Sequence, residues 1–377
     1  MKHFFIDGKD EYMNSLGWRS FYDWFMFSST MKTIISTFIL LFALIFFKIA
    51  TSNFKPTDAV PEFKIIDAAK QKEFGQLTAK VKAGLFVKNF SEFDVKNNKF
   101  VADCVVWFEF NSDEVMLGTI GMFSFDNGDI IMKSEPDVKI QERKTIAKYD
   151  VKVVFKSSLN YHHFPLDGHR ISLILTNNFV TPREMFFTVE NGAFRLAEGI
   201  FIADWLLKDT VTDAGYTESS LDRDDQSKIS SRPQVSFTIS VDVKGVRKLL
   251  IIFLPILIAI FLSMFSYVAS YKNPTQRQIL STASISAITG YRFVIENLLP
   301  PVGYFTTTDY FFIFMLLVAF FNFVFQTIFV WHQNQASQLS PEAQESAMHF
   351  LRIVNTVTFL IVSCIIVVGM GYIIVAM

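Results

Sequence analysis

Two cysteines, Cys104 and Cys364, are all that the 377 residues hold. The first sits in a strand-like stretch and the second in an apolar helix-like one, so a structural disulfide between them is not expected. The fold has to stand without a covalent staple. Charge is scarce as well: 19% of residues are charged and the formal net charge is −1. Such a chain has no electrostatic attraction for nucleic acid or for a strongly acidic partner. The neighbouring His162 and His163 have no second cluster at metal-ligand spacing. No nucleophile motif or phosphate-cradling glycine loop is present either. An enzyme, a cofactor and a bound metal are therefore not expected, and no internal repeat is visible.

Apolar residues, by contrast, are abundant. They make up 51% of the chain, with 43 phenylalanines, and the mean hydropathy is +0.31. This is the composition of a membrane protein. Residues 249–270, 310–331 and 353–377 carry no charge, and each run is long enough to cross about 30 Å of hydrocarbon as a helix. Pro255 lies inside the first run, where a kink is tolerated. Residues 278–299 are as long but carry Arg292, Glu296 and several Ser and Thr. Such a helix cannot face lipid on all sides, so it sits behind other helices or lines water. Helices are expected at about 248–270, 277–298, 308–332 and 350–376, forming a transmembrane domain over 248–377. Near the start, 33–47 is uncharged between Lys32 and Lys48. Residues 31–52 read as a secretory signal preceded by an extension over 1–30, or as a signal-anchor helix with snorkelling lysines.

Between these parts, about 56–245, the chain turns β-like. Residues 100–110, 151–155, 171–175, 185–189 and 235–243 read as strands, separated by turn clusters such as Asp126-Asn127-Gly128 and Asn191-Gly192. Many short strands with turns at this spacing predict an immunoglobulin-like β-sandwich. The polar stretch 209–231 reads as a mobile loop or solvated hairpin tip. The predicted architecture is thus mixed: an extracellular all-β sandwich followed by a four-helix transmembrane bundle.

Four places carry a family likeness. Phe164-Pro165-Leu166-Asp167-Gly168-His169 is similar to an FPxDxQ signature, with His169 in place of Gln. Residues 94–110 resemble a first hairpin that carries Trp107. Residues 247–267 resemble a first channel helix with Pro255 and Ser263. Asn297-Leu298-Leu299-Pro300-Pro301-Val302-Gly303-Tyr304 and the residues to Phe312 resemble the link between a second and a third helix. Together these resemble the pentameric ligand-gated ion channels (the Cys-loop receptor family). The bacterial members are nearest, since Ser157 and Ile171 stand where the paired cysteines would fall.

The resemblance implies a homopentamer in a bacterial plasma membrane. A small-molecule or proton agonist would bind between the outer domains and open a pore for inorganic ions. The pore stripe at helical spacing is Gln278, Thr282, Ile285, Thr289, Arg292 and Glu296, with an Ile285 ring able to close it by dewetting. A register one residue on gives Ile279, Ala283, Ser286, Gly290 and Phe293 instead, with Arg277 at the basic position of the family. Glu296 favours cations and a lumen-facing Arg292 opposes them, with cations preferred by resemblance. Coupling is expected through Phe164, Pro165 and Asp167, the last paired with Lys244 or Arg247, pressing on Pro301 and Tyr304. Trp107, Phe179 and Tyr216 lie where an aromatic box would be. Asp222, Asp224 and Asp225 are candidates for cation binding or proton sensing, or simply for solvation. The alternative function is a membrane-anchored β-sandwich sensor without a pore.

Overall fold

The structure is a computed structural model. It describes residues 28–50, 57–66, 70, 73–74, 78–141, 143–165, 168–200, 202, 205–220, 229–243, 247–270 and 273–375, with the backbone alone at 46–50 and 374–375. The chain divides into two compact units. One is β-rich, over 54–161 and 167–245; the other gathers 1–53, His162–Leu166 and 246–377.

The β unit holds β1 (Lys64–Ile65), β2 (Ala79–Asp94), β3 (Lys99–Asn111), β4 (Phe123–Phe125), β5 (Gly128–Lys133) and β6 (Asp137–Gln141). It continues with β7 (Lys144–Phe155), β8 (Gly168–Asn177), β9 (Met185–Thr188), β10 (Phe194–Leu196), β11 (Trp205–Ser220) and β12 (Ile229–Val243), and the short helix α2 (Leu117–Gly121) lies before β4. Alternation places one side of each long strand inward, as a pleated strand requires. Val81, Ala83, Leu85 and Val87 of β2, Phe100, Cys104, Val106 and Phe108 of β3, and Val235, Phe237, Ile239 and Val241 of β12 are all buried. Trp107 lies on the other face of β3. It packs so closely over Gly84 that a Cβ there would stand 2.2 Å from the indole ring.

The predicted immunoglobulin-like sandwich is not what forms. Hydrogen bonding runs unbroken through one twelve-stranded sheet in the order β1-β11-β12-β8-β4-β5-β7-β3-β2-β10, with β6 on β7 and β9 on β2. The reason is β4, which pairs with β8 on one side and with β5 on the other, carrying the ladder across the corner where a sandwich would part. The sheet is also mixed, because β9 and β10 join β2 in parallel. It curls into a half-barrel. The stretch 209–231 is a second correction, since residues 209–220 belong to β11, paired along its length with β12. Its side chains are polar because most of them are exposed, so the apolar period that marks a strand is missing.

The helical unit contains α1 (Ser29–Ala50), α3 (Arg247–Phe265), α4 (Pro274–Leu298), α5 (Thr307–Ala336) and α6 (Pro341–Val375). A four-helix bundle is therefore also corrected. Among the described residues three helices, α3, α5 and α6, are long and apolar enough to cross a membrane, which makes this a membrane protein. The polar α4 packs on α3 and α5, and α1 packs on α3 and α6. Between the helices expected to end near 332 and to begin near 350, only 337–340 is non-helical, because polar turns extend α5 and α6 beyond their apolar runs. Close approach of α6 to α5 needs Gly369, where a Cβ would meet the Phe314 ring at 2.1 Å.

Candidate functional site at the α4–α5 link

α4 stops at Leu298 because Pro300 and Pro301 follow, and the residue before a proline is pushed out of helical conformation. The chain re-enters a helix at Thr307 with a reciprocal cap. The Thr306 hydroxyl accepts from the Asp309 backbone N–H at 3.4 Å, and the Asp309 carboxylate accepts the Thr306 N–H and hydroxyl, each at 2.9 Å. A Thr-x-x-Asp box of this kind satisfies orphan donors at a helix start.

The next donors of the turn are used by another segment. His162–Leu166 leaves the strands and groups with the helices. The Thr307 N–H donates to the His162 carbonyl at 2.8 Å, and its hydroxyl donates to the same oxygen at 3.1 Å. Thr308 treats the Phe164 carbonyl in the same way, at 3.3 and 3.0 Å. First-turn N–H groups have no partner within their own helix, so this end of α5 is a ready docking edge for two carbonyls. Side chains complete the seat. The His162 ring stacks flat on Tyr304, with centroids 4.0 Å apart. Phe164 is buried, its peptide to Pro165 is cis, and Lys248 Nζ stands 5.8 Å from its ring. Partial burial holds His163 below the usual histidine value, and neighbouring His162 adds to the effect.

Asp309 also reaches α4. Its Oδ1 accepts from Arg292 Nη1 at 2.8 Å, Arg292 Nε lies 2.9 Å from Glu296 Oε2, and the guanidinium covers the Phe312 ring at 5.2 Å. One carboxylate thus caps α5, holds α4, and sits within the turn that receives 162–164. Sequence reasoning singled out Pro301 and Tyr304 but missed Thr306 to Asp309. The signal was present as Thr-x-x-Asp ahead of an apolar run.

Other expected residues are placed as follows. Asp167 and Lys244 lie outside the described residues, as do Asp222, Asp224 and Asp225. Arg247 opens α3 and is exposed. On α4 the buried positions are Arg277, Ser281, Ser284, Ile288 and Ile295. The face opposite carries Ile279, Ala283, Ser286, Gly290 and Phe293, all exposed, Phe293 by 75%. Gln278, Ile285 and Arg292 lie at the flank, half-buried, while Thr282, Thr289 and Glu296 are exposed.

The base of α4 is a polar knot. Arg277 is fully buried, and its guanidinium donates to the Ala269 carbonyl, to Asn355 Oδ1 at 2.9 Å and to Gln326 Oε1 at 3.4 Å, above the Phe329 ring.

The three aromatic candidates are not brought together among the described residues. Trp107 is half-buried on β3, Phe179 is 71% exposed, and Tyr216 is buried against Phe74 on β11. No group of three His, Cys, Asp or Glu suited to a metal occurs among the described residues.

No protein-family model matches this chain, and no curated protein matches it.

Proposed function

We propose that the chain is one subunit of a ligand-gated ion channel, a ring of five in which α4 lines a central pore. The observation that carries this reading is α4 itself. It is a 25-residue helix, too polar to face lipid, anchored on one side by Arg277 and exposing small and hydroxyl-bearing positions on the other. Ala283, Ser286 and Gly290 leave room for hydrated ions, between larger Ile279 and Phe293. This stripe suits a water-facing role better than Gln278, Ile285 and Arg292, which lie half-buried at the flank. Near the C-terminal end of α4, Arg292 is held by two carboxylates, Asp309 and Glu296, which offset the charge that would oppose cations. A ring of like subunits joined head to tail closes by rotation. Agonist binding between outer domains would reach α4 through His162–Leu166 and the α4–α5 link.

The test is reconstitution of the full chain into liposomes, with currents recorded while pH and small amines are varied. Ser286→Cys and Ser284→Cys, in a Cys364→Ala background because Cys364 is exposed, then separate the two faces. Cys104 does not interfere, since burial pushes its thiol up to about 12 and a protonated buried thiol is inert. A charged thiol reagent is expected to change the current at position 286 and to leave 284 untouched. A purified pentamer that passes no current under any condition would point instead to a membrane-anchored sensor.

A further inference from the structure

Among the described residues of the β unit, one fully buried carboxylate takes no part in the site above. Asp58 lies ahead of β1, and its side chain is 0% exposed. Its Oδ1 accepts the backbone N–H of Asn160 at 2.6 Å, and its Oδ2 accepts the backbone N–H of Arg170 at 2.6 Å. His169 Nδ1 stands 3.2 and 3.3 Å from the two oxygens, with its ring 1% exposed. An ionised carboxylate only accepts, so the tautomer that fits carries its proton on Nδ1. His169 occupies the inward end of β8, between the rings of Tyr161 at 5.3 Å and Trp205 at 5.4 Å. The Tyr161 hydroxyl is fixed by the Val95 carbonyl at 2.6 Å.

The two backbone groups that Asp58 joins, at 160 and 170, are the entrance and the exit of the segment that contains His162–Leu166. A single carboxylate from a distant part of the chain therefore closes the neck of that segment. A second tie lies further back, where Ser157 Oγ accepts the Ser172 N–H at 3.2 Å. Charged acceptors bind backbone N–H groups more strongly than neutral ones, and both the Asp58 and His169 side chains are shielded from solvent.

We propose that Asp58 is a positioning residue: it holds the neck at 160 and 170 closed and so presents the His162 and Phe164 carbonyls in the spacing that Thr307 and Thr308 accept. His169 orients the carboxylate. The gating consequence rests on the channel reading above, while the positioning itself does not.

The experiment is hydrogen exchange on the full chain in lipid nanodiscs, comparing Asp58→Asn and Asp58→Glu with the native protein. Asparagine offers one acceptor oxygen where two are used. Exchange is expected to quicken roughly ten-fold or more at 158–170, with β3 and β7 unchanged, and Asp58→Glu is expected to restore part of the protection. Unchanged exchange at 158–170, or an equal rise throughout the sheet, overturns the proposal. Should Asp58→Asn fail to fold, His169→Gln takes its place, since it keeps the carboxylate and returns one N–H. Partial loss of protection confined to 158–170 is then expected, and a uniform or absent change overturns the proposal. In recordings, Asp58→Asn is expected to shift activation without altering unit conductance, and a shifted conductance counts against it. A native protein without current counts against the channel reading alone and leaves the exchange result standing.

Discussion

Asp309 meets three demands within one turn, and substitutions at 306 and 309 weigh the cap against the Arg292 pair. Thr306→Ala removes the neutral half of the cap and is expected to cost about 1 kcal/mol. Asp309→Ala removes the cap acceptor and the partner of Arg292 together. That loss is expected to reach about 2–3 kcal/mol, in the range for hydrogen bonds to charged groups. Thermal unfolding in detergent ranks the two, and an Asp309→Ala protein as stable as Thr306→Ala would show that the Arg292 pair contributes nothing. His163 adds a pH dependence. Its value in the folded chain lies below the ordinary 6.5, so the unfolded or released segment takes up a proton that the docked one refuses. Stability from docking is complete above pH 6.5 and declines as the pH falls below it. Protection against exchange at 160–166, corrected for the intrinsic pH dependence of amide exchange, is expected to fall on acidification through that value and to become pH-independent in His163→Gln. Equal protection on both sides of pH 6.5 in the native chain would refute this.

Arg277 shows how an element of mixed polarity is tolerated among apolar helices. Its buried guanidinium draws on a carbonyl beyond the end of α3 and on amides of α5 and α6. Asn355 extends the network by donating to the Tyr267 carbonyl at 3.1 Å, and Asn322 links the Tyr267 hydroxyl to Ser263. Lysine has one ammonium and no planar fork, so Arg277→Lys is not conservative here. Arg277→Ala leaves buried neutral oxygens unpartnered and is expected to cost about 2–3 kcal/mol, with α4 loosened first. Hydrogen exchange along α4, read against α3, checks it; equal loosening of both helices would show a general effect instead. From sequence, α4 was recognisable as polar, and Arg277 was visible as a basic residue. Which neighbours it met was not, because they lie up to 78 positions away.

At the scale of the whole molecule, the apolar runs were legible because a bilayer-spanning helix needs uncharged length, and length is a local property. Strands β3, β7, β8, β9 and β12 were legible for a similar reason, through β-branched and aromatic content. β11 was not, since an exposed strand lacks the apolar period. The sandwich was misjudged because strand content does not say where a ladder breaks, and three residues of β4 carry it across. The bundle was misjudged because packing by α1 is a long-range fact.

The channel reading draws on both kinds of knowledge. Uncharged runs, the polar helix between them, and the proline-marked link were determined by the sequence alone, since each reflects a local balance of polarity and backbone freedom. Only the tertiary structure decided which face of α4 is buried, that Thr307 and Thr308 receive His162 and Phe164, and that Asp58 closes the neck at 160 and 170. Each of these is a contact between residues far apart in the chain, where directional hydrogen bonds and burial choose the partner and no local pattern records the choice.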